Sequence, residues 1–419
     1  MGEYQTVTLK MEPLDQSLSI DAHKLNHTAK VINKFVPQGS ILERLMNFAA
    51  SVPDFRRCDK GNIRHRLNDI IILMILRRTC GHVGRSDIIA FGKYNLNKFR
   101  KMGMLKNGIP SVATFCRVEN GSDDPAMADS MQAFAENFHN ELFKACRDRE
   151  IVCVDGKAER GTVHENGRSP DIVSAYSFNT GITIATEACK EKSNEIKAVP
   201  ILLDKIDISG KIVTADAMSM QKDIVEKIRK KGGDFLIELK ANQPSLRYGI
   251  EDRLVEHTPV YSYTEGPELA HGRIETRTYR VYDGLDIIAD KKKWGGNMTI
   301  IEYESSTVKK STGVHTSEKR LYVSSMPTDT PQPGTIVRNH WSIESMHWGL
   351  DHNLQQDNIK RKSSRAARNL DTIQRIVYSV FSIWKGLRKK QSDKNKGMAE
   401  LIRHISMSFT RIMRFLSQK

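Results

Sequence analysis

Three acidic residues stand where carboxylates can meet a shared cation. Asp155 ends the apolar run Ile151-Val152-Cys153-Val154, Asp216 ends Lys211-Ile212-Val213-Thr214-Ala215, and Glu344 lies in the segment from His340 to Trp348. Two strand-end acids and one helical acid supply the hard oxygen ligands that hold a pair of Mg²⁺ ions roughly 3.5–4 Å apart on either side of a phosphate, with Mn²⁺ able to substitute. Taken singly, a strand-end Asp is an ordinary turn former. The segment around Glu344 tips the balance. On a helical wheel His340, Glu344, His347 and Asp351 share one narrow sector, flanked by Trp341 and Trp348 on one side and Ile343 and Leu350 on the other. This pattern predicts a polar cleft wall bracketed by buried aromatic anchors, where a solvated face would carry mostly Lys and Glu.

The elements that must position these acids follow from periodicity. Residues 1–37 are polar and give no firm element. Helical spacing appears at 41–49, 67–76 and 127–146, with Gly81 and Gly84 as breakers. From 150 the pattern predicts strands at 151–155, 172–178 and 182–188, a helix at 195–205, a strand at 211–216, a helix at 219–231 and a strand at 234–239. The 128 residues from Asp216 to Glu344 are too many for one loop. Strand-like runs at 260–263, 273–282, 298–303 and 319–324 fill them with a β-rich insertion. Helices are expected at 367–385 and 398–416, joined by a charge-dense linker.

Five motifs, in order, carry a resemblance: Val-Asp-Gly-Lys at 154–157, Thr-Ala-Asp-Ala at 214–217, Glu-Leu-Lys-Ala-Asn-Gln at 238–243, His-Gly-Arg-Ile-Glu-Thr-Arg at 271–277, and Arg-Asn-His-Trp-Ser-Ile-Glu-Ser-Met-His-Trp-Gly-Leu-Asp at 338–351. Together they resemble the H-repeat-associated (ISAs-type) group of bacterial insertion-sequence transposases, within the DDE superfamily, over about residues 40 to 380. The resemblance implies an α/β fold: a ribonuclease-H-like catalytic core with a β-rich insertion, preceded by a helical N-terminal domain and followed by C-terminal helices. In these terms the chain divides into a tail (1–37), a helical candidate DNA-end-binding domain (38–148), the core (149–244 and 331–385), the insertion (245–330), and a basic linker with a C-terminal helix (386–419). The implied activity is Mg²⁺-dependent cleavage and joining of DNA strands, with Asp155, Asp216 and Glu344 as catalytic metal ligands. The implied partners are the element's terminal inverted repeats and target DNA, with a homodimer formed on paired ends. Many members of the wider superfamily carry a Tyr seven residues before the Glu, an Arg four before it and a Lys seven after it. This chain has Val337, His340 and Asp351 there, with Arg338 and Lys360 as candidate substitutes.

Charge agrees with a polyanionic partner. The 419 residues carry a net charge of +15, and from Arg338 onward 17 Lys and Arg face 6 Asp and Glu. Candidate DNA contacts are Lys157, Lys240, Asn242, His271, Arg273, Arg338, His340, His347, Lys360, Arg361, Lys362 and Arg365, and the carboxy-terminal part reads as the phosphate-tracking surface. The amino-terminal helical region offers Arg56, Arg57, Arg64, Arg66, Arg77, Arg78 and Arg85 for the same task. Six widely spaced cysteines fit buried thiols in a bacterial cytoplasm, near the nucleoid. No apolar run is long enough for a membrane span, and no nucleotide-cradling glycine loop occurs. The Glu-x-x-His pairs at Glu136 and Glu344 suggest a di-iron bundle, which the strand-rich stretch between them opposes. The alternative that stays open is a catalytically silent, transposase-derived DNA-binding regulator.

Overall fold

The computed structural model describes residues 36–419 apart from 145, 147, 163–168, 170, 190–194, 271, 290–293, 295 and 297. Most of the expected tail and His271 thus lie outside the described residues. Five helices come first: α1 (Ile41–Ser51), α2 (Leu67–Thr79), α3 (Arg85–Lys101), α4 (Val112–Gly121) and α5 (Asp124–Phe143). The side chain of Ser40 caps α1 by accepting from the Glu43 N–H, and Ile41, Leu42, Leu45, Met46, Phe48 and Ala49 line its buried face. Helices α3 and α4 are additions to the sequence reading. Gly81 and Gly84 lie in the expected break between α2 and α3, Gly84 capping the start of α3, and Gly92 lets that helix lie close against Leu73 and Ile109.

Strands β1 (Ile151–Ala158), β2 (Asp171–Ser177) and β3 (Ile182–Ala188) form an antiparallel meander. Helix α6 (Glu195–Lys205), β4 (Ile212–Ala215), α7 (Lys222–Lys230) and β5 (Asp234–Leu239) follow, with β4 parallel to both β1 and β5. After α8 (Pro244–Leu254), unpredicted from the sequence, come four long strands, β6 (Tyr261–Ala270), β7 (Arg273–Asp283), β8 (Thr299–Lys309) and β9 (His315–Ser324). They do not form a separate sheet. β9 pairs antiparallel with β5, so all nine strands make one sheet in the order β3-β2-β1-β4-β5-β9-β8-β7-β6.

Alternation along the strands sorts two cores. Val152, Val154 and Val213 point to one face, where α6 and α7 pack. Ile151, Cys153 and Ile212 point to the other, which is covered by α9 (Pro333–His352), α10 (Ser364–Gly386) and the amino-terminal helices. The carboxy-terminal segment folds as two short helices, α11 (Met398–Ser406) and α12 (Phe409–Leu416), where one was expected. Phe409 stacks on Phe91 and meets Phe99 edge-on, while Phe415 lies against Phe381 and Trp384. Both ends of the chain therefore share one helical core. Among the described residues no helix is long and apolar enough to cross a membrane.

Candidate active site

β1 runs past its expected end at Asp155 to Ala158, and the parallel pairing of Val154 with Ala215 brings Asp155 beside Asp216, which directly follows β4. Alternation turns both toward α9. Asp216 is held there by its own turn: its Oδ1 accepts from the Met218 N–H at 3.0 Å. The Asn242 side chain donates to the Ala217 carbonyl at 2.6 Å, and the Gln243 side chain donates to the Met220 carbonyl at 2.9 Å. Asn242 and Gln243 of the Glu238–Gln243 motif thus brace the Asp216 loop, with Asn242 exposed to solvent.

Helix α9 lies along β1, and its register follows from two repeats. Successive same-face residues of a strand advance about 6.6 Å, and four to five residues of helix rise about 6–7.5 Å. The odd-numbered residues of β1 accordingly meet successive turns of the helix and the segment after it. Cys153 meets Asn339 and Ser342, Asp155 meets His347 at 3.4 Å, and Lys157 meets Asp351 at 2.8 Å. Just past the strand, Glu159 accepts from the Gln356 side chain at 2.6 Å. On the neighbouring strand Thr214 pairs with His340 Nδ1 at 3.0 Å. The amino end of α9 is pinned by the β-rich strands: the Gly334 N–H donates to the Tyr263 hydroxyl at 2.7 Å, and a Cβ at Gly334 would collide with Tyr279. Tyr261, Tyr263, Tyr279 and Tyr303 form a continuous aromatic row behind that contact.

Electrostatics single out this place. Burial and the neighbouring Asp155 raise Asp216 above the ordinary carboxylate range, against the lowering hydrogen bonds of the Ser219 and Met218 amides. Burial and Asp155 likewise raise Glu344, opposed by Arg320 and Lys240. A fourth acid, missed in the sequence, joins them. Glu195, the first residue of α6, is pushed up to about 7 by burial, Asp155, Asp216 and Asp171. Its carboxylate packs so closely on Gly156 that a Cβ there would run into it. The signal for it was weak, an acid at the start of a helix with no motif beside it. His340 and His347 are lowered chiefly by burial, so both imidazoles are neutral at pH 7. Among the described residues no three His, Cys, Asp or Glu side chains close tightly enough to enclose one ion. The donor set nevertheless fits hard divalent cations: carboxylate oxygens on adjacent strands and the facing helix, with Asp216 and Glu344 raised by burial and by Asp155, an effect that positive charge would offset.

Several expected DNA contacts are relocated. Lys157 is only 7% exposed and pairs with Asp351 and with Asp357 at 3.4 Å, so it faces the interior. Arg361 lies 3.1 Å from the buried Glu119, and Arg365 and Arg368 pair with Asp124. Buried Glu119 draws Arg361 inward, and with it Arg85 and the fully buried Arg78. That leaves Lys360, Lys362 and Arg365 exposed in the carboxy-terminal cluster, Arg365 while paired with Asp124. Arg273 and Lys240 are exposed, Lys240 pairing with Glu238 at 3.0 Å, and Arg338 pairs with Glu265 and Glu268. His340 and His347 are packed beneath the acids. Trp348 reverses its expectation. It is no buried anchor: it is 60% exposed and stacks on His352 at 4.4 Å, because it follows Glu344 by one turn on the open side of α9.

The class follows from the match of residues 147–380 to the family model described as a transposase DDE domain, with residues 46–135 matching the one described as DDE_Tnp_1-associated. The chain belongs to the DDE transposase family. It is 33% identical over 365 residues to the "H repeat-associated putative transposase YhhI" of Escherichia coli (strain K12), a match covering 83% of this chain and 94% of that one. It is 35% identical over 254 residues to the "H repeat-associated putative transposase YbfD" of the same strain, covering 59% of this chain and 98% of that one. Among solved structures it is similar to a piggyBac transposase synaptic complex with hairpin DNA, at a TM-score of 0.42 and 11% identity, over 92% of this chain and 81% of that one.

Proposed function

We propose that this transposase cleaves DNA strands at the ends of an insertion sequence and joins the freed 3′ ends to target DNA, using Asp155, Asp216 and Glu344 as ligands for two divalent cations. The observation that carries the reading is the meeting of like-charged acids from β1, β4 and α9, each of the last two raised by Asp155. The order β3-β2-β1-β4-β5, with β1 antiparallel to β2 and parallel to β4, suits a ribonuclease-H-like core.

Mg²⁺ or Mn²⁺ bound there would supply Lewis acidity to the attacking and departing oxygens of an in-line displacement. The protein's own residues set the geometry. His347, neutral and 3.4 Å from Asp155, orients that carboxylate, and the Asn242 brace holds the Asp216 turn. Glu344, on the exposed side of α9, approaches from the solvent side with Lys240 and Arg320 nearby. Water attacks the phosphate at the element end, and the resulting 3′-hydroxyl then attacks a target phosphate. Two ends and one acid set per chain call for a homodimer on the paired ends.

Cleavage of a labelled duplex taken from the DNA bordering the coding sequence, with Mg²⁺ or Mn²⁺, tests this. Metal-dependent nicking that Asp155→Ala, Asp216→Ala and Glu344→Ala each remove, with end binding retained, supports it. Specific end binding without cleavage under both metals rejects it in favour of a silent regulator.

A further inference from the structure

Lys157 is the least expected charge in the molecule. It follows Asp155 by two residues, points to the same face of β1, and is buried. A buried ammonium persists only when paired and hydrogen-bonded. Its partners are Asp351, in the last turn of α9, at 2.8 Å, and Asp357, in the turn beyond, at 3.4 Å. An acid in the last turn of a helix opposes the helix dipole, so Asp351 is unfavourable there without a cation. The same turn is gripped again just past the strand. Gln356 donates to Glu159 and, at 2.8 Å, to Asp371, which is paired with the fully buried Arg375 at 2.7 Å. Arg375 reaches back to the Met346 sulfur at 3.7 Å, inside α9. β1, the turn after α9, α10 and α9 thus close into one buried ring.

We infer that Lys157 is a positioning residue that locks the carboxy end of α9 to β1 through Asp351 and Asp357 and so sets the register in which Glu344 and His347 meet Asp155. The inference rests on the proposed strand-transfer reading of the acid site. α9 is held at both ends, by the Tyr263 contact at Gly334 and by this ring, and the catalytic segment lies between them. Without the lower fixing the helix keeps its fold but loses its place along β1. A shift of about 1 Å at a reacting group costs about a hundredfold in rate. The ring also accounts for an acid at position 351, because the matching lysine comes from β1.

Lys157→Met separates this role from a phosphate contact. The expected result is single-turnover cleavage of a bound DNA end slowed by about a hundredfold, with end affinity and its salt dependence unchanged. Backbone amides of 349–357 are expected to lose protection from hydrogen exchange. Lys157→Arg is expected to keep most of the rate, and the exchanged pair Lys157→Glu with Asp351→Lys to recover part of it. Weaker end binding with a salt slope smaller by about 0.9 would overturn the inference in favour of a phosphate contact. Wild-type exchange in 349–357 would overturn it as well. Should Lys157→Met fail to fold, Asp351→Asn and Asp357→Asn carry the same comparison. If the wild-type protein binds ends and never cleaves them, the strand-transfer reading fails, while the exchange measurement still decides the ring.

Discussion

Two groups of charge in this protein are built on opposite rules. Around Glu119 opposite charges meet: Arg78 from α2, Arg85 from α3 and Arg361 from the segment before α10 converge on one inaccessible carboxylate. Where β1 lies beside the end of β4, acid meets acid. Burial and Asp155 together raise Asp216, Glu344 and Glu195, and Lys240 opposes the rise at Asp216 and Glu344, with Arg320 at Glu344. The first group ties the amino-terminal helices to the core. The second keeps like charges together, as the proposed binding of divalent cations requires.

The largest effect expected from this contrast is on catalysis. Asp155→Asn, Asp216→Asn and Glu344→Gln should each lower DNA-end cleavage by about three orders of magnitude or more, as removal of one member of a catalytic unit does. Melting curves without metal should show these variants as stable as wild type or more so, because each removes repulsion. Glu119→Gln should do the reverse. It leaves buried guanidinium groups around a neutral amide, at a cost of about 3–5 kcal/mol read from urea unfolding, and end cleavage by the remaining folded protein should persist.

A smaller effect concerns pH. The fold raises Glu195 from its ordinary 4.5 to about 7, so the fold favours the protonated form. The associated stability is present below pH 4.5 and is lost as pH rises through 7. Metal-free protein should therefore melt at falling temperature across that window, and Glu195→Gln should flatten the decline; an unchanged slope would separate Glu195 from the cluster. The smallest effect is at the carboxy-terminal cations. Lys360→Ala with Lys362→Ala should reduce the logarithmic salt slope of DNA binding by about 1.8 at most, from two phosphate contacts. Arg361→Ala should instead lower stability, since its guanidinium answers Glu119.

Much of this was legible in the residues. The strand-end acids, the strands of the meander and the polar stripe on α9 follow from period-two and 3.6-residue patterns, because burial on one face dictates those patterns locally. The fate of long basic side chains did not follow. Lys157 and Arg361 read as phosphate contacts because composition reports charge and cannot report a buried partner 194 or more residues away, as Asp351 and Glu119 are. Trp348 failed for a related reason: a wheel gives the angle around a helix but not which side the rest of the chain covers. Glu195 needed the third dimension too, since only packing brings the start of α6 against Gly156.

The most direct measurement is the thermal shift that Mg²⁺ or Mn²⁺ induces in wild type and in the Asp155→Asn, Asp216→Asn double variant, at pH 8 where the acids are ionised. Wild type should gain stability as the metal concentration rises, through relief of the repulsion at the strand ends. The double variant, already relieved of it, should begin from an equal or higher melting temperature and gain little. Equal gains in both proteins would contradict the assignment of these acids as the cation site.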